Sequence, residues 1–128
     1  MARGSNMEIR RAYEWTLLLR PDLDEEGREE VLKKIEEVFK KNEIEVFHRA
    51  TLGKRQLAYP IEKYREGYYD IFYIAAFPSQ LAAVEQWLKL NRDVLRALRV
   101  RINRAHRDYL VKTQNLTFPE NVSFARVK

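Results

Sequence analysis

Ten residues in the middle of the chain, YYDIFYIAAF at 68–77, restrict what the rest can build. Aromatic and β-branched side chains read as a strand. Alternation puts Tyr69, Ile71, Tyr73, Ala75 and Phe77 on one face and Phe72, Ile74 and Ala76 on the other. A strand with one solvated face alternates apolar with polar residues, and this one is apolar on both sides. Both faces therefore need a cover, and for the second one either another protein or the chain's own C-terminal segment would serve.

The segments around it supply the other layers. AYEWTLLL, before Pro21, reads as a first strand with Trp15, Leu17 and Leu19 on one side and Glu14, Thr16 and Leu18 on the other. DLDEEGREEVLKKIEEVFKKNE reads as a helix. Asp22 or Asp24 caps it, and Val31, Leu32, Ile35, Val38 and Phe39 form one stripe. IEVFHRATLGKRQLAY reads as a second strand, with Ile44, Val46, His48 and Ala50 alternating with Glu45, Phe47, Arg49 and Thr51. Gly53 inside it marks a bulge or bend. PIEKYREG is a polar connection closed by Gly67. Pro78-Ser79 opens a second helix with Ser79 as its cap and Leu81, Val84, Leu88 and Trp87 inward. VLRALRVRI is a fourth strand, with Leu98, Val100 and Ile102 on one side and Arg99 and Arg101 on the other. The order βαββαβ predicts an α+β, ferredoxin-like fold: a four-stranded antiparallel sheet with two helices on one face. Residues 103–128 have mixed character but enough apolar side chains, as in NLTFPENVSFARVK, to dock onto something.

A length of 128 residues fits one domain with one core, and 45% apolar residues provide the material for it. The expected division is an N-terminal extension at 1–9, the domain at 10–102 and a C-terminal extension at 103–128. A net charge of +5 favours an anionic partner, whether nucleic acid, an acidic protein or a membrane surface. With no cysteine, disulfides and thiolate chemistry are excluded, as is cysteine-ligated zinc. No apolar run approaches the roughly 20 residues of a membrane helix. The basic start MARGSNMEIRR has no apolar stretch behind it and is not read as a secretory signal.

Catalytic chemistry finds few carriers. His48 and His106 are far apart in sequence and lack evident partners, which a general base needs. Glu29, Glu30, Glu36 and Glu37 alternate with lysines, the pattern of a solvated helix face. The four glycines form no phosphate-binding motif. Acylphosphatases share the fold class and use an arginine after the first strand; here Arg20 is followed at once by acidic residues, whose field opposes phosphate. No catalytic residue, metal ligand or cofactor is expected. The cations cluster instead: Arg10 and Arg11, Lys54 and Arg55, and Arg92, Arg96, Arg99, Arg101, Arg104 and Arg107. Guanidinium groups contact phosphate bidentately and stack on bases, so RNA is the expected anion, although a solvated sheet face would carry the same spacing.

Three segments resemble one family, the bacterial-type small-subunit ribosomal protein S-six. Arg11, Tyr13 and Glu14 are similar to the start of its first strand. Gly53, Arg55, Leu57, Ala58, Tyr59, Pro60, Ile61 and Lys63 resemble its most specific motif. Val94, Arg96, Val100 and Arg101 resemble its fourth-strand segment. The resemblance runs from about Arg10 to Ile102. It implies no catalysis and a structural role in the small ribosomal subunit, bound to small-subunit rRNA as a heterodimer with ribosomal protein S-eighteen. The compartment it implies is the bacterial cytoplasm or an organelle matrix. Arg10, Arg11, Lys54, Arg55, Arg92, Arg96 and Arg99 are the expected RNA contacts, and Tyr59, Phe72 and Ile74 the expected protein-partner interface. A free RNA-binding module outside the ribosome, and an acylphosphatase-type enzyme using Arg20, are the alternatives.

Overall fold

Two crossovers that each skip a strand account for the sheet. The computed structural model describes residues 8–125. The expected N-terminal extension lies outside the described residues up to residue 7, and the expected C-terminal one beyond residue 125. The strands are β1 (Arg11–Leu19), β2 (Glu45–Ile61), β3 (Tyr64–Ala76) and β4 (Val94–Arg101). Helix α1 (Glu25–Lys41) carries the chain from β1 to β2, and α2 (Leu81–Leu90) from β3 to β4. The sheet order is β2-β3-β1-β4 and every neighbouring pair is antiparallel. This is the predicted ferredoxin-like arrangement, with α1 and α2 on one face.

The helix-side core follows from the alternation of β1 and β3. Trp15, Leu17 and Leu19 of β1 and Phe72, Ile74 and Ala76 of β3 meet Leu32, Ile35 and Phe39 of α1 and Leu81, Val84 and Leu88 of α2. Phe39 lies 5.5 Å from both the Trp15 and Phe72 rings, an edge-on and a tilted contact that add to simple burial. Asp24 caps α1 by accepting from the Gly27 N–H at 2.7 Å, and Glu25 and Glu26 occupy its electropositive first turn. Ser79 is not a cap. Pro78–Gln80 form a 3₁₀ turn ahead of α2, in which Gln80 accepts from the Phe77 N–H, while the Ser79 N–H and hydroxyl both donate to Glu8.

Strict alternation fails in β2. Val46 pairs with Ile74 and His48 with Tyr73, so Phe47 is an extra residue. That bulge moves Phe47 and His48 together to the face away from α1, where both stack near Tyr73. Arg49 then faces α1 and pairs with Glu36. A second slip lies between Thr51 and Gly53, where Gly53 adopts φ +83°, the left-handed conformation that glycine alone takes without strain. The expected polar connection before Gly67 is mostly strand: only Glu62 and Lys63 turn the chain, and β3 starts at Tyr64. Gly67 serves close approach, since a Cβ there would sit 2.5 Å from Leu18 Cδ1 and 2.9 Å from the Leu19 carbonyl. Between the Gln56–Glu66 and Ile61–Tyr64 pairs, Leu57–Pro60 of β2 oppose Arg65 alone, so the tyrosine-proline segment bows out of the ladder.

The second cover of β3 belongs to the chain itself. Helix α3 (Arg104–Gln114), capped by Asn103 and missed in the sequence because its inward stripe is sparse, lies on the opposite face of the sheet. Leu110, Leu116, Phe118, Val122 and Phe124 pack with Ala12, Tyr73 and Ile102. His106 does have a partner: its Nε2 lies 3.6 Å from Glu14, whose other carboxylate oxygen accepts from the Tyr73 hydroxyl at 3.0 Å. Burial and the Glu14 charge push the Tyr73 phenol well above its usual range, which keeps it a donor. The segment after α3, residues 115–125, forms a strap, and its Ser123 N–H donates to the Arg10 carbonyl at 2.9 Å.

Candidate nucleic-acid and partner interface

The strap covers only one end of the outer face. Beyond it, Thr16, Leu18, Tyr59, Ile61, Tyr69, Arg96 and Leu98 line an open groove of about 340 Å³. β4 explains the exposure. It turns Arg99 toward the helix side and Leu98 and Val100 outward, leaving them 65% and 39% exposed. Tyr59, on the bowed segment of β2, is 63% exposed at the rim. Large apolar side chains held together at a surface mark a contact for another protein.

Of the three expected interface residues, Tyr59 alone has surface to offer. Phe72 and Ile74 are completely buried beneath α1 and α2. The expectation for them is corrected: even-numbered positions of β3 face the helices, and the odd-numbered Tyr69 is the β3 residue that reaches the open groove.

The seven expected RNA contacts do not form one patch. Arg92 lies with Arg20, Lys63 and Lys89 around a cleft of about 500 Å³ between the β2–β3 turn and the α2–β4 connection. Glu62 is the one acidic residue among those described around it, and Arg20 is held by Asp93 at 2.9 Å and by Asp22 at 3.5 Å. Lys63, Lys89 and Arg92 are exposed. Arg96 borders the open groove. Lys54 and Arg55 are exposed on the β2–β3 arm, but Lys54 pairs with Glu66 at 3.3 Å and Arg55 donates to the Leu52 carbonyl at 3.0 Å across the Gly53 bulge.

The remaining three are engaged by the chain's own groups. Arg10 bonds Glu45 and the Glu120 carbonyl. Arg11 is buried and donates to the Ala125 carbonyl. Arg99 lies over the Trp15 and Tyr13 rings at 5.2 and 5.7 Å and pairs with Glu85 at 3.3 Å. Burial raises the Tyr13 phenol pKa, while Arg99, Arg11 and Arg101 pull it down. Lys63 and Lys89 were missed as candidates because they are isolated in sequence; the turn of the arm brings them beside Arg92.

Among the described residues no group of three or more His, Cys, Asp or Glu could hold a metal ion. Arg20, the arginine an acylphosphatase-type reading would use, is already engaged by two carboxylates.

Comparison with known proteins gives the family and the fold. The family model described as Ribosomal protein S6 matches residues 12–101. Small ribosomal subunit protein bS6 of Prochlorococcus marinus (strain NATL2A) is 40% identical over 89 residues, 70% of this chain and 64% of that protein. The chain thus spans under two thirds of that relative's length. The bS6 protein of Exiguobacterium sp. (strain AT1b) is 34% identical over 88 residues, 69% of this chain and 93% of its own. The crystal structure of 30S ribosomal protein S6 from Thermotoga maritima superposes with a TM-score of 0.72 at 23% identity, covering 82% of this chain and 98% of that one, a likeness of fold. The chain belongs to the ribosomal protein S6 family.

Proposed function

We propose that the chain is a structural constituent of the small ribosomal subunit, where residues 10–102 bind small-subunit rRNA together with a neighbouring ribosomal protein. The observation that carries this is the outward apolar side of β4. Leu98 stands exposed with Tyr59 in a groove with cationic Arg96 at its edge, Val100 is exposed further along the strand, and the Arg92 cleft lies at the strand's other end. A protein partner buries the groove, and RNA phosphates take the cations around it. The partner implied by the family resemblance is ribosomal protein S-eighteen. Lys63, Lys89, Arg92 and Arg96, with Lys54 and Arg55 on the arm, form the RNA-facing set. The compartment is the one in which such a subunit works, bacterial cytoplasm or organelle matrix.

Sucrose-gradient fractionation of a source lysate tests the assignment. The tagged chain should co-migrate with the small subunit. Leu98→Asp, at an exposed position that leaves the core intact, should reduce this by about tenfold or more, as should Lys63→Glu combined with Arg92→Glu. Wild-type chain only at the top of a gradient that contains intact subunits would overturn the reading in favour of a free RNA-binding module.

A further inference from the structure

Another cavity lies at the opposite end of β4 from the Arg92 cleft. Arg101, Asn103, Arg104, Ala105, Phe124 and Ala125 enclose about 590 Å³, within the roughly 300–1,000 Å³ of small-molecule-sized sites. Its walls come from the last residue of β4, the start of α3 and the end of the strap. All but Arg101 fall outside the stretch that the family model matches. The cavity is therefore a product of this chain's C-terminal segment.

Its electrostatics are one-sided. Arg101 and Arg104 are exposed, and neither makes an ion pair or side-chain hydrogen bond among the described residues. No described lining residue is acidic. Asp108 is taken by Arg107 at 2.9 Å, and Arg107 also lies 4.9 Å over the Phe124 ring. Buried Arg11 holds the wall through the Ala125 carbonyl and adds a further positive charge behind it. Two exposed guanidinium groups, unpaired among the described residues, beside an aromatic wall match a phosphate linked to a planar base.

We propose that this cavity is a second RNA site, which takes a nucleotide of a single-stranded segment: phosphate on Arg101 and Arg104, base against Phe124. The proposal rests on the RNA-binding reading above and extends it to a place that reading does not use. An acidic peptide would satisfy the arginines but would bring no planar base to the aromatic wall.

The full chain, Arg101→Ala/Arg104→Ala and Lys63→Ala/Arg92→Ala are compared by fluorescence anisotropy on a labelled 12-nucleotide single-stranded RNA, and by filter binding on small-subunit rRNA. Neither arginine contributes to the core, so circular dichroism should match the wild type. The expected result is about a tenfold weaker affinity of Arg101→Ala/Arg104→Ala for the 12-mer. Its log–log salt slope should be shallower by about 0.7, the value for one phosphate neutralised on a single strand. Phe124→Leu should weaken 12-mer binding while keeping the wild-type salt slope. An unchanged 12-mer affinity in Arg101→Ala/Arg104→Ala, or no wild-type binding to the 12-mer, overturns the proposal. If rRNA binding nonetheless persists and falls in Lys63→Ala/Arg92→Ala, the RNA-binding reading survives that failure. Loss of wild-type binding to both RNAs sinks the two together.

Discussion

Asp70 shows how a single residue can resist being read from a sequence. It lies on the helix side of β3, 1% exposed, in a row otherwise made of Phe72, Ile74 and Ala76. Thr51 donates to one of its oxygens at 2.9 Å, and the other oxygen has no protein partner. Burial raises its pKa, against the opposing pull of the Thr51 hydrogen bond and of Arg28 and Arg49. The consequence for stability has a definite sign. The folded pKa stands above the unfolded value of about 3.9, so the native state takes up this proton first as pH falls. The cost of the buried charge is therefore relieved on acidification from neutrality, and the gain levels off below the unfolded pKa. In urea titrations, the wild-type midpoint measured relative to Asp70→Asn should rise between pH 7 and about pH 4. A difference that stays flat over that window would mean Asp70 is effectively solvated.

Elements differ in how far local pattern determines them. β1, β3 and α1 announce themselves because alternation or a helical stripe coincides with burial, and their inward residues are those found in the core. β2 defeats the same method. Each bulge adds one residue to one strand, and every later side chain changes face, so the period-two reading fails after Val46 although each residue type suits a strand. The interface assignment of Phe72 and Ile74 fails for a related reason: two apolar faces look alike until the helices choose one. α3 is silent in sequence because Leu110 is its one buried residue, and its docking depends on the sheet it covers. That dependence is measurable. Leu110→Ala should cost about 2–3 kcal/mol if α3 unfolds with the domain. If α3 detaches on its own, the global unfolding midpoint should hold while hydrogen exchange accelerates in residues 104–114.

At the scale of the whole molecule, charge and apolar surface are separated along β4. The Arg92 cleft precedes the strand, the open groove flanks its middle, and the Arg101 cavity closes its far end. Eight residues of strand put the two cationic ends about 25 Å apart. That is well beyond the roughly 8–10 Å over which exposed charges feel each other at physiological salt. The strap already occupies the outer face near Tyr73, so under the proposed function a partner protein would sit in the groove around Leu98, and RNA would engage either end without passing through it. Sites so separated, with no shared side chain, should contribute independently. On small-subunit rRNA, combining Lys63→Ala/Arg92→Ala with Arg101→Ala/Arg104→Ala should therefore give a loss equal to the sum of the two separate losses, within about 0.5 kcal/mol. A combined loss clearly smaller than that sum would mean that the two ends hold the same stretch of RNA in one cooperative contact, released as soon as either end lets go.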